Sequence, residues 1–148
     1  MSVPRHEREP ELWALEVEAV PAELARVDAF AEDLFQRLCP EEGERLSFVL
    51  REAVLNALEA MAESEGKERI EIEVSVDWQG IVICIIDQGF GFQPEWQEKL
   101  AEASMEDCLL DERGRGLLFI RQMVDEIWSF YQPERGHVFG MRKRWKGV

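Results

Sequence analysis

Residues 69–92 read RIEIEVSVDWQGIVICIIDQGFGF, and the placing of apolar side chains in this stretch decides the kind of fold the chain can adopt. Ile70, Ile72, Val74 and Val76 alternate with Arg69, Glu71, Glu73 and Ser75, the period of a strand with one wet face. Gln79-Gly80 gives a tight turn, and Ile81 to Ile86 then run apolar on both faces, as a central, covered strand does. The two strands form a hairpin, and the second ends at Asp87.

Upstream, Trp13, Leu15, Val17 and Ala19 alternate with Ala14, Glu16 and Glu18, which predicts another half-buried strand. Leu24, Val27, Ala31, Leu34 and Leu38 recur at three- and four-residue steps. They predict a helix from Pro21 to Leu38, halted before Pro40. A second helix is expected from about Glu42 to Glu63, with Leu46, Val49, Leu50, Ala53, Ala57 and Ala60 on one apolar face. Downstream the sequence predicts a short helix at Pro94 to Ala103, an acidic loop at Ser104 to Arg113, and a helix at Gly114 to Asp125 opened by two glycines. Phe119, Met123 and Ile127 read as core, and strands at about Glu126 to Tyr131 and His137 to Trp145 follow. Strands grouped with helices on one side make an α+β protein, a two-layer sandwich. Residues 1–10 read as a loose tail and 11–146 as a single domain.

Bulk composition agrees with one domain. The chain has 148 residues, and its 46% apolar content, with five Trp and eight Phe, can supply a sizeable core. A formal charge of −14 repels a phosphate backbone over most of the surface, which argues against nucleic acid as a partner. Cys39, Cys84 and Cys108 are odd in number and far apart, so they read as reduced thiols and not as disulfides or a zinc site. The charged N-terminus lacks an apolar targeting core, and the longest apolar run, Ile81 to Ile86, is too short to span a bilayer. These features predict a soluble, cytoplasmic protein with no membrane partner.

Three groups of residues could carry chemistry. Glu52 and Asn56 are four apart, share one helix face and interrupt its apolar stripe. A carboxylate there could activate a nucleophile, and an amide oxygen one turn away could coordinate Mg2+, which takes few protein ligands beside phosphates and water. Asp87-Gln-Gly89-Phe-Gly91 follows the most apolar strand. Its carboxylate can accept a hydrogen bond from an exocyclic amine, and its glycines let backbone pass close to a flat ring. Gly114-Arg115-Gly116 opens a helix, where free N–H groups and the positive dipole end favour an anion. Each group also has a plain structural reading: the edge of a stripe, an ordinary glycine-rich turn, a flexible loop exit. Arg142, Lys143, Arg144 and Lys146 read as a solvated strand end.

E-x-x-x-N on a helix, then D-x-G-x-G after a buried hairpin strand, then G-x-G-L opening a later helix resembles the ordered boxes of the Bergerat-type, or GHKL, ATPase superfamily. Within it the chain is most similar to the anti-sigma-factor serine kinases, from about Leu12 to Lys143 and most strongly in Glu52 to Ala57, Ile85 to Phe92 and Gly114 to Glu126. The resemblance implies a histidine-kinase-like ATPase fold, with a mixed, mostly antiparallel sheet covered by helices on one face. It implies ATP and Mg2+ as cofactors, Glu52 as general base, Asn56 as magnesium ligand, Asp87 as reader of the adenine amine, and amides from Gly114 to Leu117 on the phosphates. Ala60, Gly89, Gly91, Arg113, Arg115 and His137 complete the implied nucleotide site.

Two positions depart from the family pattern: Ala60 stands where His is usual, and His137 where Thr is common, so contacts there differ. The short loop carrying Glu106, Asp107, Asp111 and Glu112 is acidic, and Arg113 and Arg115 would have to offset it. The resemblance further implies a protein serine/threonine kinase acting on an anti-anti-sigma, STAS-like partner, docking of a sigma factor, and a homodimer. A nucleotide-dependent switch without efficient catalysis is the alternative. A histidine-kinase catalytic domain acting in trans is a third reading, since His6 lies in the tail and His137 at a strand start.

Overall fold

The computed structural model describes residues 10–61, 69–87 and 112–147. The expected helix at 94–103, most of the acidic loop, the tail before Pro10 and the helix end beyond Met61 lie outside the described residues.

The elements follow the apolar pattern closely. Strand β1 (Glu11–Glu18) leads to a 3-10 turn at Pro21–Glu23, where proline's missing N–H costs nothing at a first turn. Helix α1 (Leu24–Leu38) then buries Val27, Ala31, Leu34 and Phe35. Helix α2 (Gly43–Met61) buries Leu46, Val49, Leu50, Ala53, Val54, Ala57 and Met61. Strands β2 (Arg69–Val76) and β3 (Gly80–Asp87) form the expected hairpin, with Ile72 opposite Ile85 and Val74 opposite Ile83. Its turn is held by Asp77, whose Oδ1 accepts the amide hydrogens of Gln79 at 2.8 Å and Gly80 at 3.1 Å. Gly80 is needed because β5 runs against it: a Cβ there would lie 2.2 Å from the carbonyl oxygen of Lys143. Helix α3 (Glu112–Met123) and strands β4 (Glu126–Gln132) and β5 (Gly136–Arg144) complete the described fold.

The sheet order is β1-β2-β3-β5-β4, and every pairing among the described residues is antiparallel. The expectation of a mixed sheet is therefore corrected. A helical crossover through α3 does return β4 parallel to β3, as such a connection tends to. The final strand, however, slips between them, so no parallel pair is hydrogen-bonded among the described residues.

One face of the sheet carries Ile70, Ile72, Val74, Ile81, Ile83, Ile85, Phe139 and Met141, which share a single core with the buried residues of α1, α2 and α3. The α+β two-layer sandwich is thus observed, with α2 packed against both α1 and α3 and onto β3. On the other face Trp128 lies over Gly140, and Arg135 reaches across from the β4–β5 turn to bond Glu71 at 2.6 Å and Glu73.

One expectation about an aromatic position changes. Phe119 is not core: it is 40% exposed and meets Phe48 of α2 edge-on, with ring centroids 6.3 Å apart. Leu117 and Ile120 hold α3 to the core in its place. Trp145 is buried, and its indole N–H donates to the carbonyl of Asp77 at 2.8 Å, whereas Tyr131 is exposed. The basic strand end is paired with acids: Arg142 and Arg144 with Glu126, and Lys143 with Asp125. Neither Cys39 nor Cys84 forms a disulfide among the described residues.

Candidate nucleotide site

The helical repeat places Glu52 and Asn56 one turn apart on α2, both half-buried, beside Ala53 and Ala57 in the core. Gly116 of α3 lies directly over this pair. A Cβ on Gly116 would stand 2.9 Å from Glu52 Oε2, 3.7 Å from Asn56 Oδ1 and 3.9 Å from Asn56 Nδ2. Only a hydrogen atom fits that gap without shifting the carboxylate. The first and third boxes, sixty residues apart in the chain, therefore meet in space.

The electrostatics suit a base. Burial pushes the Glu52 carboxyl above its ordinary value, with Arg51 opposing and Glu59 reinforcing the shift. Arg51 itself turns outward, to Asp28 at 2.5 Å. Asn56 Nδ2 is buried and has no hydrogen-bond partner among the described residues, a cost that a bound polar group would remove.

Helix α3 begins at Glu112, two residues before the expected start. The amides left free by helix geometry belong to its first turn, which contains Gly114; Gly116 and Leu117 come after it. The two glycines therefore differ in use. Gly114 lies among the free amides, and Gly116 gives clearance over Glu52, while Leu117, 1% exposed, anchors the helix. The side chains of Ala60, Arg113 and Arg115, and all of Gly89 and Gly91, lie outside the described residues.

A second group forms at the end of β3. Alternation from Ile81, Ile83 and Ile85 places Asp87 on the helix side of the sheet, 3% exposed. His137 of β5 is its register partner and is 6% exposed. His137 Nδ1 stands 3.7 Å from Asp87 Oδ2, and its Nε2 is 2.5 Å from Ser129 Oγ on β4. Sequence reasoning missed Ser129: it is one polar residue in a short strand, and only the pairing of β4 with β5 brings it to the imidazole. Helix α2 links the groups, since it packs on both α3 and β3.

Among the described residues no three His, Cys, Asp or Glu side chains could together hold a metal ion. No helix among the described residues is long and apolar enough to cross a membrane.

An antiparallel sheet covered on one side by helices, with an acid and amide of one helix facing the glycine-rich start of another, defines an ATPase domain of the Bergerat, or GHKL, type. The chain belongs to the histidine kinase-like ATPase domain family, which matches residues 17–143. A comparison with curated proteins finds no match.

Proposed function

We propose that the chain is an ATP- and Mg2+-dependent protein serine/threonine kinase of the anti-sigma regulatory type. It acts in the cytoplasm as a homodimer, phosphorylates an anti-anti-sigma, STAS-like partner and docks a sigma factor. The observation that carries this reading is the seating of Gly116 over Glu52 and Asn56. It brings a half-buried carboxylate and a buried amide nitrogen up against the second turn of α3, one turn from the helix's free amides, and so supports a site that could position a phosphoryl group.

The residues fit the group they would hold. Asn56 has a buried amide whose Nδ2 lacks a partner among the described residues, and Gly116 leaves room beside it. Asn56 Oδ1 would hold Mg2+, which when bound neutralises charge on the phosphates. The first-turn amides of α3, Gly114 among them, would face phosphate oxygens. Glu52 takes the proton of the partner's serine hydroxyl as that oxygen attacks the γ-phosphorus and ADP leaves. Asp87 accepts from the adenine amine.

The test is transfer of labelled γ-phosphate from Mg-ATP to a purified STAS-domain protein encoded beside this chain. Label on a partner serine, lost in Glu52→Gln with ATP binding kept, supports the kinase. ATP binding with no transfer to such a partner overturns it and favours the nucleotide-dependent switch.

A further inference from the structure

The contact that seats Gly116 over Glu52 continues past the carboxylate to a pair of wet aromatic rings. Phe48 stands one turn before Glu52 on the same face of α2, and Phe119 stands one turn after Gly116 on α3. Their rings meet edge-on, with centroids 6.3 Å apart. Gly116 lies against residues 52 and 56 while Phe119 lies against Phe48, so the two helices run antiparallel along this seam. It reads in one direction: the two rings, then Glu52 under Gly116, then Asn56 and the free amides of α3, each step about 6 Å of helix rise.

A clip between helices would not leave these rings wet. Phe48 is 38% exposed and Phe119 40%, whereas Leu117 and Ile120 already hold α3 to the core. Arg45, one turn before Phe48 on the same face, is exposed and makes no ion pair with any described residue. In a chain of charge −14, where Arg51 is taken up by Asp28, an unspent cation beside two wet rings marks a docking surface for an apolar and acidic segment. Phosphoryl transfer also sets the direction of approach, because the attacking and leaving oxygens lie on opposite sides of phosphorus. With the phosphates at Asn56 and the α3 amides, the hydroxyl reaches Glu52 from the end of the seam that carries the rings.

Resting on the kinase reading above, we infer that Phe48, Phe119 and Arg45 form the docking surface for the phosphoacceptor protein. The segment carrying its serine lays an apolar side chain on the two rings and a carboxylate against Arg45. These three residues touch no reacting atom; they set where the serine stands relative to Glu52.

Initial rates of label transfer from Mg-ATP to increasing amounts of the purified STAS-domain protein encoded beside this chain test the surface. Phe48→Ala and Phe119→Ala should each raise KM for the acceptor protein about tenfold, as loss of an interface anchor does, with calorimetric affinity for Mg-ATP within about twofold of wild type. Arg45→Glu should raise that KM by a similar factor, and Arg45→Lys should recover most of it. Because Arg45 is exposed, its variants decide the matter if a ring variant does not fold. An unchanged acceptor KM in Arg45→Glu and in the folded ring variants overturns the inference and leaves the kinase standing. A rise in KM matched by an equal loss of ATP affinity also overturns it, since a merely structural clip between α2 and α3 would behave so. Folded wild type that transfers no label overturns the kinase reading and this inference with it.

Discussion

Glu52 is held in a place that disfavours its charge, and this has two measurable results. Its carboxyl binds a proton more tightly in the folded chain than at the ordinary value of 4.5, chiefly through burial. Folding stability is therefore lost as pH rises through the raised value, and the ionised group is a burden at neutral pH. Glu52→Gln should leave the melting temperature unchanged or higher while reducing phosphotransfer by a factor of about 100 or more, as loss of a general base does. The wild-type rate should begin to fall on acidification at a pH above the ordinary carboxylate range, read from a pH–rate profile. Gly116→Ala tests the same contact from the other side. The added Cβ meets the flexible end of Glu52 at 2.9 Å, so the fold should tolerate it while turnover drops and urea denaturation changes little. Cys84 is a plainer case: burial pushes its thiol up to about 11, so mass mapping after alkylation at neutral pH should show it modified slowly until the chain is unfolded. Glu52, Asn56 and Asp87 were legible in the sequence because acids and amides interrupt apolar runs. Ser129 and the role of Gly116 were not, because each depends on which neighbour the fold supplies.

The elements themselves were easier to read. Ile70 to Val76 and Ile81 to Ile86 announce a hairpin because a period of two is strict, and the register confirms it residue by residue. Helix ends were less exact. Gly114 looked like a start, yet the helix reaches back to Glu112, since a glycine is admissible inside a first turn. Phe119 misled for a related reason: apolar spacing on α3 does not say that the ring will meet Phe48 at the surface. The inserted position of β5 could not be read at all, because strand order depends on long-range pairing. That insertion sets a firm requirement at Gly140, where a Cβ would come 2.2 Å from the Trp128 ring. Gly140→Ala should destabilise the domain by roughly 1–3 kcal/mol, measured by urea denaturation, as overpacking does. Retained stability would mean that Trp128 can leave the sheet face.

At the scale of the molecule, thirty-one acidic against seventeen basic side chains leave a charge of −14 that repels itself. Raising sodium chloride from about 10 to 150 mM shortens the screening length from about 30 to 8 Å and should raise the melting temperature. A fall with salt would mean that the pairs of Arg135, Arg142 and Arg144 with acids outweigh the general repulsion.

The slot that β5 occupies also orders events in time. Hairpins β2–β3 and β4–β5 close locally, but their union waits on a contact between distant parts of the chain, the slower kind of closure. Until then β3 offers a bare, sticky edge. The imidazole of His137 therefore meets Asp87 only once that last strand is seated between its neighbours.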